Sequence, residues 1–169
     1  MSSETRFAAV AVAALLVAGC TTSGHAHDEA MASMVAIEDQ WASSAQTGMA
    51  AVFGTLTNAG HHDAVVVSGR SRVAGNVEVH EVVPDSSGTK TMRPKQGGLT
   101  IPAEGSHNLE PGGDHLMLMD LTQPLSPGTD VTLTVVFEDG STLPVTAQVR
   151  DFAGADEEYQ PSVSHPAHG

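Results

Sequence analysis

Turn-forming residues recur through the middle of this chain at intervals that leave room only for short extended segments. Asn58-Ala59-Gly60, Pro84-Asp85-Ser86-Ser87-Gly88, Gly97-Gly98, Pro111-Gly112-Gly113, Ser126-Pro127-Gly128 and Asp139-Gly140 combine residues that preset φ, tolerate positive φ or hydrogen-bond their own backbone. Between them the sequence predicts strands at Ile37–Trp41, Ala51–Asn58, Ala64–Ser68, Asn76–Val83, Thr89–Arg93, Leu99–Pro102, Ser106–Glu110, His115–Thr122, Asp130–Glu138 and Thr142–Arg150. Short strands at this spacing specify an all-β domain, an antiparallel sandwich or barrel with Greek-key links. The clearest hairpin is Phe137-Glu138-Asp139-Gly140-Ser141, where Asp-Gly suits a tight primed turn.

The ends differ from this middle. Residues 7–18, FAAVAVAALLVA, are apolar but short for a membrane span, and fit the hydrophobic region of an export signal. Leu16-Val17-Ala18-Gly19-Cys20 resembles a bacterial lipobox, in which the cysteine is lipidated and becomes the mature N-terminus. Two or more acyl chains would anchor the chain stably, at roughly 0.8 kcal/mol per buried methylene. The expected organisation is a lipoprotein signal over 1–19, a flexible tether over 20–34, one domain over 35–152 and an unstructured His-containing tail over 153–169. The expected location is the outer, extracytoplasmic face of the cytoplasmic membrane. A net charge of -13 opposes nucleic acid as a partner. Cys20 is the one cysteine, so a disulfide within the chain and a thiolate metal site in the domain are both excluded.

Chemistry concentrates in two stretches. In GGDHLMLMDL, residues 112–121, a strand would put Leu116 and Leu118 on one face and His115, Met117 and Met119 on the other. In VEVHEVVPDSSGTKTMRPK, residues 77–95, a turn centred on Ser86 would make His80 and Met92 direct cross-strand neighbours. Two imidazoles and two thioethers suit Cu(I), because thioether has little affinity for zinc, calcium or magnesium. A methionine taken alone is ordinarily packing; the combination carries the signal.

The pattern His80, Met92, then His115-Leu116-Met117, set in VEVHE, MRP, GGLTIP and LEPGGDHLMLMDL, resembles the periplasmic copper chaperone family written PCu(A)C. The likeness spans about residues 35–152, including IEDQWA and TLTN. It implies a cupredoxin-like β domain without enzymatic activity that binds Cu(I) through His80, Met92, His115 and Met117. It also implies delivery toward cytochrome c oxidase, to its subunit II or a thiol-containing assembly factor. Two departures stand out. Glu81 follows the first histidine where the family often has methionine, and Arg93 to Asp114 makes a gap one residue longer than usual, an insertion best placed at Gly97-Gly98.

His25, His27, His165 and His168 are candidates for a second copper ion or for plain solvated residues. His61, His62 and His107 read as ordinary surface, and Met119 as packing. A redox cupredoxin would need a cysteine ligand in the domain. No nucleophile elbow or paired-carboxylate motif supports hydrolysis. A metal-free sandwich serving interaction or adhesion, in which the methionines only pack, is the alternative. Transfer by ligand exchange at a shallow site would require exposed ligands.

Overall fold

The computed structural model describes residues 29–152 and the backbone of 158–159. One helical turn, α1 (Met31–Met34), precedes ten strands: β1 (Val35–Ser43), β2 (Ala50–Asn58), β3 (Ala64–Ser71), β4 (Ala74–Pro84), β5 (Lys90–Pro94), β6 (Leu99–Ile101), β7 (Ser106–Leu109), β8 (His115–Leu121), β9 (Asp130–Phe137) and β10 (Thr142–Arg150). A two-residue strand, β11 (Glu158–Tyr159), follows. Each strand predicted from the turn signals is present, with ends shifted by a few residues.

The strands β4, β8, β2, β1, β10, β9 and β3 lie in that order, and a pairing between Gly69 and Val77 returns β3 to β4. The result is a closed seven-strand barrel, which leaves few open edges. Within this ring β1 and β10 run parallel, whereas the other ring pairs are antiparallel. Strand β5 hangs outside the ring on β4, and β11 pairs parallel to it.

Alternation of side chains builds the barrel interior. In β10 the buried residues Val145, Ala147 and Val149 alternate with exposed neighbours, the pattern of a strand with one face on the core. Leu56, Val66, Leu99, Leu116, Leu118 and Val135 are wholly buried in the same cluster, and each such burial contributes about 1.5–3 kcal/mol. Strand β2 differs, because Ala50, Ala51, Val52 and Phe53 are buried consecutively. It is covered on both faces, so a second apolar cluster must lie outside the barrel.

Two local expectations are corrected. The β9–β10 hairpin closes with three loop residues rather than two, since Phe137 N–H donates to Ser141 O and only Gly140 takes positive φ, at 80°. Asp139 explains the choice: its Oδ1 accepts from Ser141 N–H, favouring a turn followed by a left-handed glycine. At the other end of the chain, residues 31–34 are helical and docked rather than tether-like. Met31 N–H donates to Asp139 Oδ2 and Ala32 N–H to Ser141 Oγ.

A bulge in β1 prepares the site. The pairing runs Glu38 to Thr55 and then Trp41 to Phe53, with Asp39 at φ 53°. The extra residue turns Trp41 outward onto Phe53 instead of leaving it in register with Ile37. Gly54 makes room: a Cβ there would sit 3.0 Å from Glu38 O and 3.1 Å from Gln40 Cα.

Candidate metal centre

Three strands supply the buried residues of the outer cluster. Met92 of β5, Met117 of β8, and Ala51 and Phe53 of β2 are buried together, with Trp41, Met49, Val82 and Met119 packed around them. His80 of β4 and His115 of β8 complete the arrangement as direct register partners, their ring centroids 5.8 Å apart. All four residues expected to bind metal therefore lie on one face of the β5–β4–β8–β2 sheet.

The hairpin register departs from the expectation. Met92 faces Val82 and His80 faces Pro94, so the turn is centred on Ser87 rather than Ser86. Asp85 sets this, since its Oδ1 accepts from Ser87 N–H, Ser87 Oγ and Thr89 N–H and draws the whole loop around itself. The slip amounts to two residues, so both side chains keep their face. His80 and Met92 are diagonal neighbours, and His115 is the residue that Met92 meets.

That meeting is close. His115 Nε2 lies 3.0 Å from Met92 Sδ, while Nδ1 of the same ring lies 3.1 Å from Gly113 O. A neutral imidazole has one proton for these two contacts, and the carbonyl is the stronger acceptor. The proton then resides on Nδ1, and the Nε2 lone pair faces the thioether sulfur. Burial pushes His115 down, as does the neighbouring His80; the Gly113 hydrogen bond and Asp114 oppose this only partly, and the value falls to about 4. Two electron-pair donors thus converge at neutral pH with no proton to share, a geometry suited to a soft cation.

His80 is held differently. Its Nε2 donates to Glu78 Oε2 at 2.8 Å, and Glu78 Oε1 accepts from Asn76 Nδ2 at 2.7 Å. Across from this run on β4, Asn76 pairs with Met119, Glu78 with Met117 and His80 with His115. Among the described residues no three His, Cys, Asp or Glu side chains gather into a metal site. The donor set is two imidazoles and two thioethers, which fits Cu(I) and does not fit zinc or calcium.

Burial overturns one expectation. The relative exposures of His80, Met92, His115 and Met117 are 0, 5, 2 and 4%, so the donors are enclosed rather than shallow. The aromatic cluster explains part of this. Phe53 stacks against Trp41 at 4.6 Å and reaches to 5.9 Å from His115, and Phe152 closes on Trp41 at 5.3 Å. Motif spacing did not disclose Trp41, Met49 or Phe53. The signal available for them was the unbroken apolar run of β2, which calls for cover on both faces.

A charge network brackets the site. Lys95 Nζ lies 3.2 Å from both Glu81 Oε2 and Asp114 Oδ1, Arg93 donates to Glu81 Oε1, and His107 Nε2 is 2.9 Å from Asp114 Oδ2. Glu81, which replaces the methionine of the PCu(A)C pattern, is an anchor for two cations. Burial raises its carboxyl, but the hydrogen bonds and charges of Arg93 and Lys95 prevail and hold it below the ordinary value. Burial likewise lowers Lys95, and the carboxylates of Asp114 and Glu81 more than reverse it. His107, expected to be plain surface, belongs to this network. His61 conforms, lying exposed beside Glu104 at 3.5 Å. Cys20, His25, His27, His165 and His168 fall outside the described residues.

Comparison with known proteins places these features in context. The family model for LpqE-like proteins, described as "Putative lipoprotein LpqE-like", matches residues 35–149. A protein of Leifsonia xyli subsp. xyli, named "Putative lipoprotein Lxx21020", is 41% identical over 126 residues, covering 75% of each chain. Among solved structures, the copper-bound PCuAC domain from PmoF2 superposes with a TM-score of 0.58 at 18% identity, covering 70% of this chain and 94% of that one. The Cu(I)-bound DR1885 of Deinococcus radiodurans gives a TM-score of 0.50 at 29% identity, covering 70% and 80%. The resemblance to PCu(A)C domains drawn from the motif extends to the fold, a cupredoxin-like barrel.

Proposed function

We propose that this chain, which belongs to the LpqE-like family, is an extracytoplasmic Cu(I)-binding chaperone whose ligands are His80, Met92, His115 and Met117. The observation that carries the reading is the 3.0 Å approach of His115 Nε2 to Met92 Sδ, made between β8 and the second arm of the β4–β5 hairpin by a ring kept neutral. His80 and Met117 flank that contact on the same face. The copper-bound state of DR1885 and of the PmoF2 domain supports the choice of metal. Membership of a family described as lipoproteins supports attachment through Cys20. A respiratory oxidase or a thiol-bearing assembly factor is the recipient proposed.

Four uncharged donors leave the single charge of Cu(I) unneutralised by direct ligands. Such a set holds the ion against water and yields it to a thiolate, whose negative charge makes it the stronger partner. Because the donors are buried, yielding requires that β5 move.

The experiment is a competitive Cu(I) titration of the domain against a chromophoric chelator, with Met92→Leu and Met117→Leu alongside. These substitutions keep bulk and remove sulfur, so each should weaken binding by about tenfold or more. The near-complete burial of both methionines favours a second reading, a metal-free interaction module in which they only pack. Titrations unaffected by either substitution would establish that reading instead.

A further inference from the structure

We infer that Glu78 is a positioning residue which, with Asn76, sets the tautomer of His80, so that the two histidines of the site offer opposite ring nitrogens. This rests on the proposed Cu(I) site and deepens it. Asn76, Glu78 and His80 alternate along one face of β4, and their side chains form a chain of hydrogen bonds: Asn76 Nδ2 to Glu78 Oε1 at 2.7 Å, His80 Nε2 to Glu78 Oε2 at 2.8 Å. A carboxylate only accepts, so it retains the proton on Nε2 and leaves the His80 lone pair on Nδ1. At His115 the Gly113 carbonyl does the reverse, retaining the proton on Nδ1.

The geometry gives this asymmetry a purpose. His80 and His115 are direct partners in adjacent strands, so two rings of the same tautomer would present equivalent atoms at equal reach from the backbone. Nδ1 adjoins the root of the ring, whereas Nε2 lies at its tip. A metal bound by Nδ1 of His80 and Nε2 of His115 therefore sits displaced toward β4, the strand that also pairs with β5 and its Met92. Glu78 has a second effect through the same bond. It faces Met117 across the ladder and places a carboxylate one imidazole away from the ion, in the outer shell that orients the ligand. The site thereby gains compensating charge without a charged direct ligand. Asn76 keeps the carboxylate from turning to solvent, to which the Glu78 side chain is 30% exposed.

The test begins with the metal-free domain labelled with nitrogen-15 in histidine, using long-range proton–nitrogen correlations at neutral pH. His80 should show the Nε2–H pattern and His115 the Nδ1–H pattern. An Nδ1–H pattern at His80 would overturn the inference whatever the metal does. Glu78→Ala should abolish the His80 preference and weaken Cu(I) by about tenfold. Glu78→Gln, whose carbonyl still accepts, should restore the tautomer. If Glu78→Ala leaves both tautomer and affinity unchanged, the residue has no positioning role. His80→Leu separates the two readings: unaltered Cu(I) binding there would remove His80 from the ligand set, whereas weakened binding with an indifferent Glu78→Ala would refute only the role of Glu78.

Discussion

Lys95 Nζ stands 3.2 Å from Asp114 Oδ1, joining the residue just past β5 to the residue just before β8. Met92 lies three positions from one end of this bond and His115 one position from the other. The bond therefore links the strands of two candidate ligands that the backbone ladder does not connect directly, since β4 lies between them. Lys95→Met retains the aliphatic stem and deletes the charge. It should lower stability in urea by about 1 kcal/mol, as for a partly solvated ion pair, and should also weaken Cu(I) binding in chelator competition. Stability lost without any change in affinity would show that the clamp does not govern the site.

Acid should weaken the metal-free domain through His115. Its folded value lies near 4 against an ordinary 6.5, so between those values the unfolded chain binds the extra proton. Unfolding free energy should therefore fall as pH drops from about 6.5 toward 4, by up to roughly 3 kcal/mol. Urea titrations across that range check this, and in His115→Leu the corresponding slope should shrink. The clamp behaves otherwise. Glu81 is lowered and Lys95 raised, so the contribution of Glu81 is present above its ordinary 4.5 and is lost as acid falls through its lower folded value. That of Lys95 is present below 10.5 and is lost only as alkali passes its raised one.

Gly54→Ala should disturb the site without touching a donor. The new Cβ would press on Glu38 O and Gln40 Cα, both backbone atoms at or next to the β1 bulge, in a conformation that alanine rarely adopts. A loss of about 1–3 kcal/mol is expected from that strain. Because the bulge aims Trp41 at Phe53, the fluorescence of this one tryptophan should shift as well. An unshifted spectrum would mean the bulge does not orient the aromatic cluster.

Attachment to the membrane is tested on the full chain in a bacterial host. Cys20→Ala should move the protein from the membrane fraction to the soluble fraction or the medium, since acyl burial supplies the anchoring. Continued recovery with membranes would argue against lipidation at that position.

Strand positions were legible because turn residues are local devices, each announcing its own chain reversal. Register was less so. Pro84-Asp85-Ser86-Ser87-Gly88 contains two turn formers competing to begin the reversal, and only the folded geometry shows the Asp85 carboxylate gathering three donors. The error was harmless to the site because side chains repeat every second residue. The histidines and methionines that the structure brings together could be picked out by type, whereas Trp41 depends on a bulge that no alternation announces. The roles of Glu81 and His107 depend on Lys95 and Asp114, which are neighbours only in space. The enclosure of the donors was missed for the same reason: their cover arrives from β1, β2 and the segment at Phe152, all distant in the chain.

The placement of Met92 on a ribbon outside the closed barrel divides labour within the molecule. If Met92 binds Cu(I) as proposed, a peeling of the ribbon would leave the ring intact, and unloading would not pass through unfolding. How often that ribbon lifts, rather than how tightly sulfur grips the ion, would then set the tempo of delivery, and a recipient that inserts along the lifted margin could time its own supply.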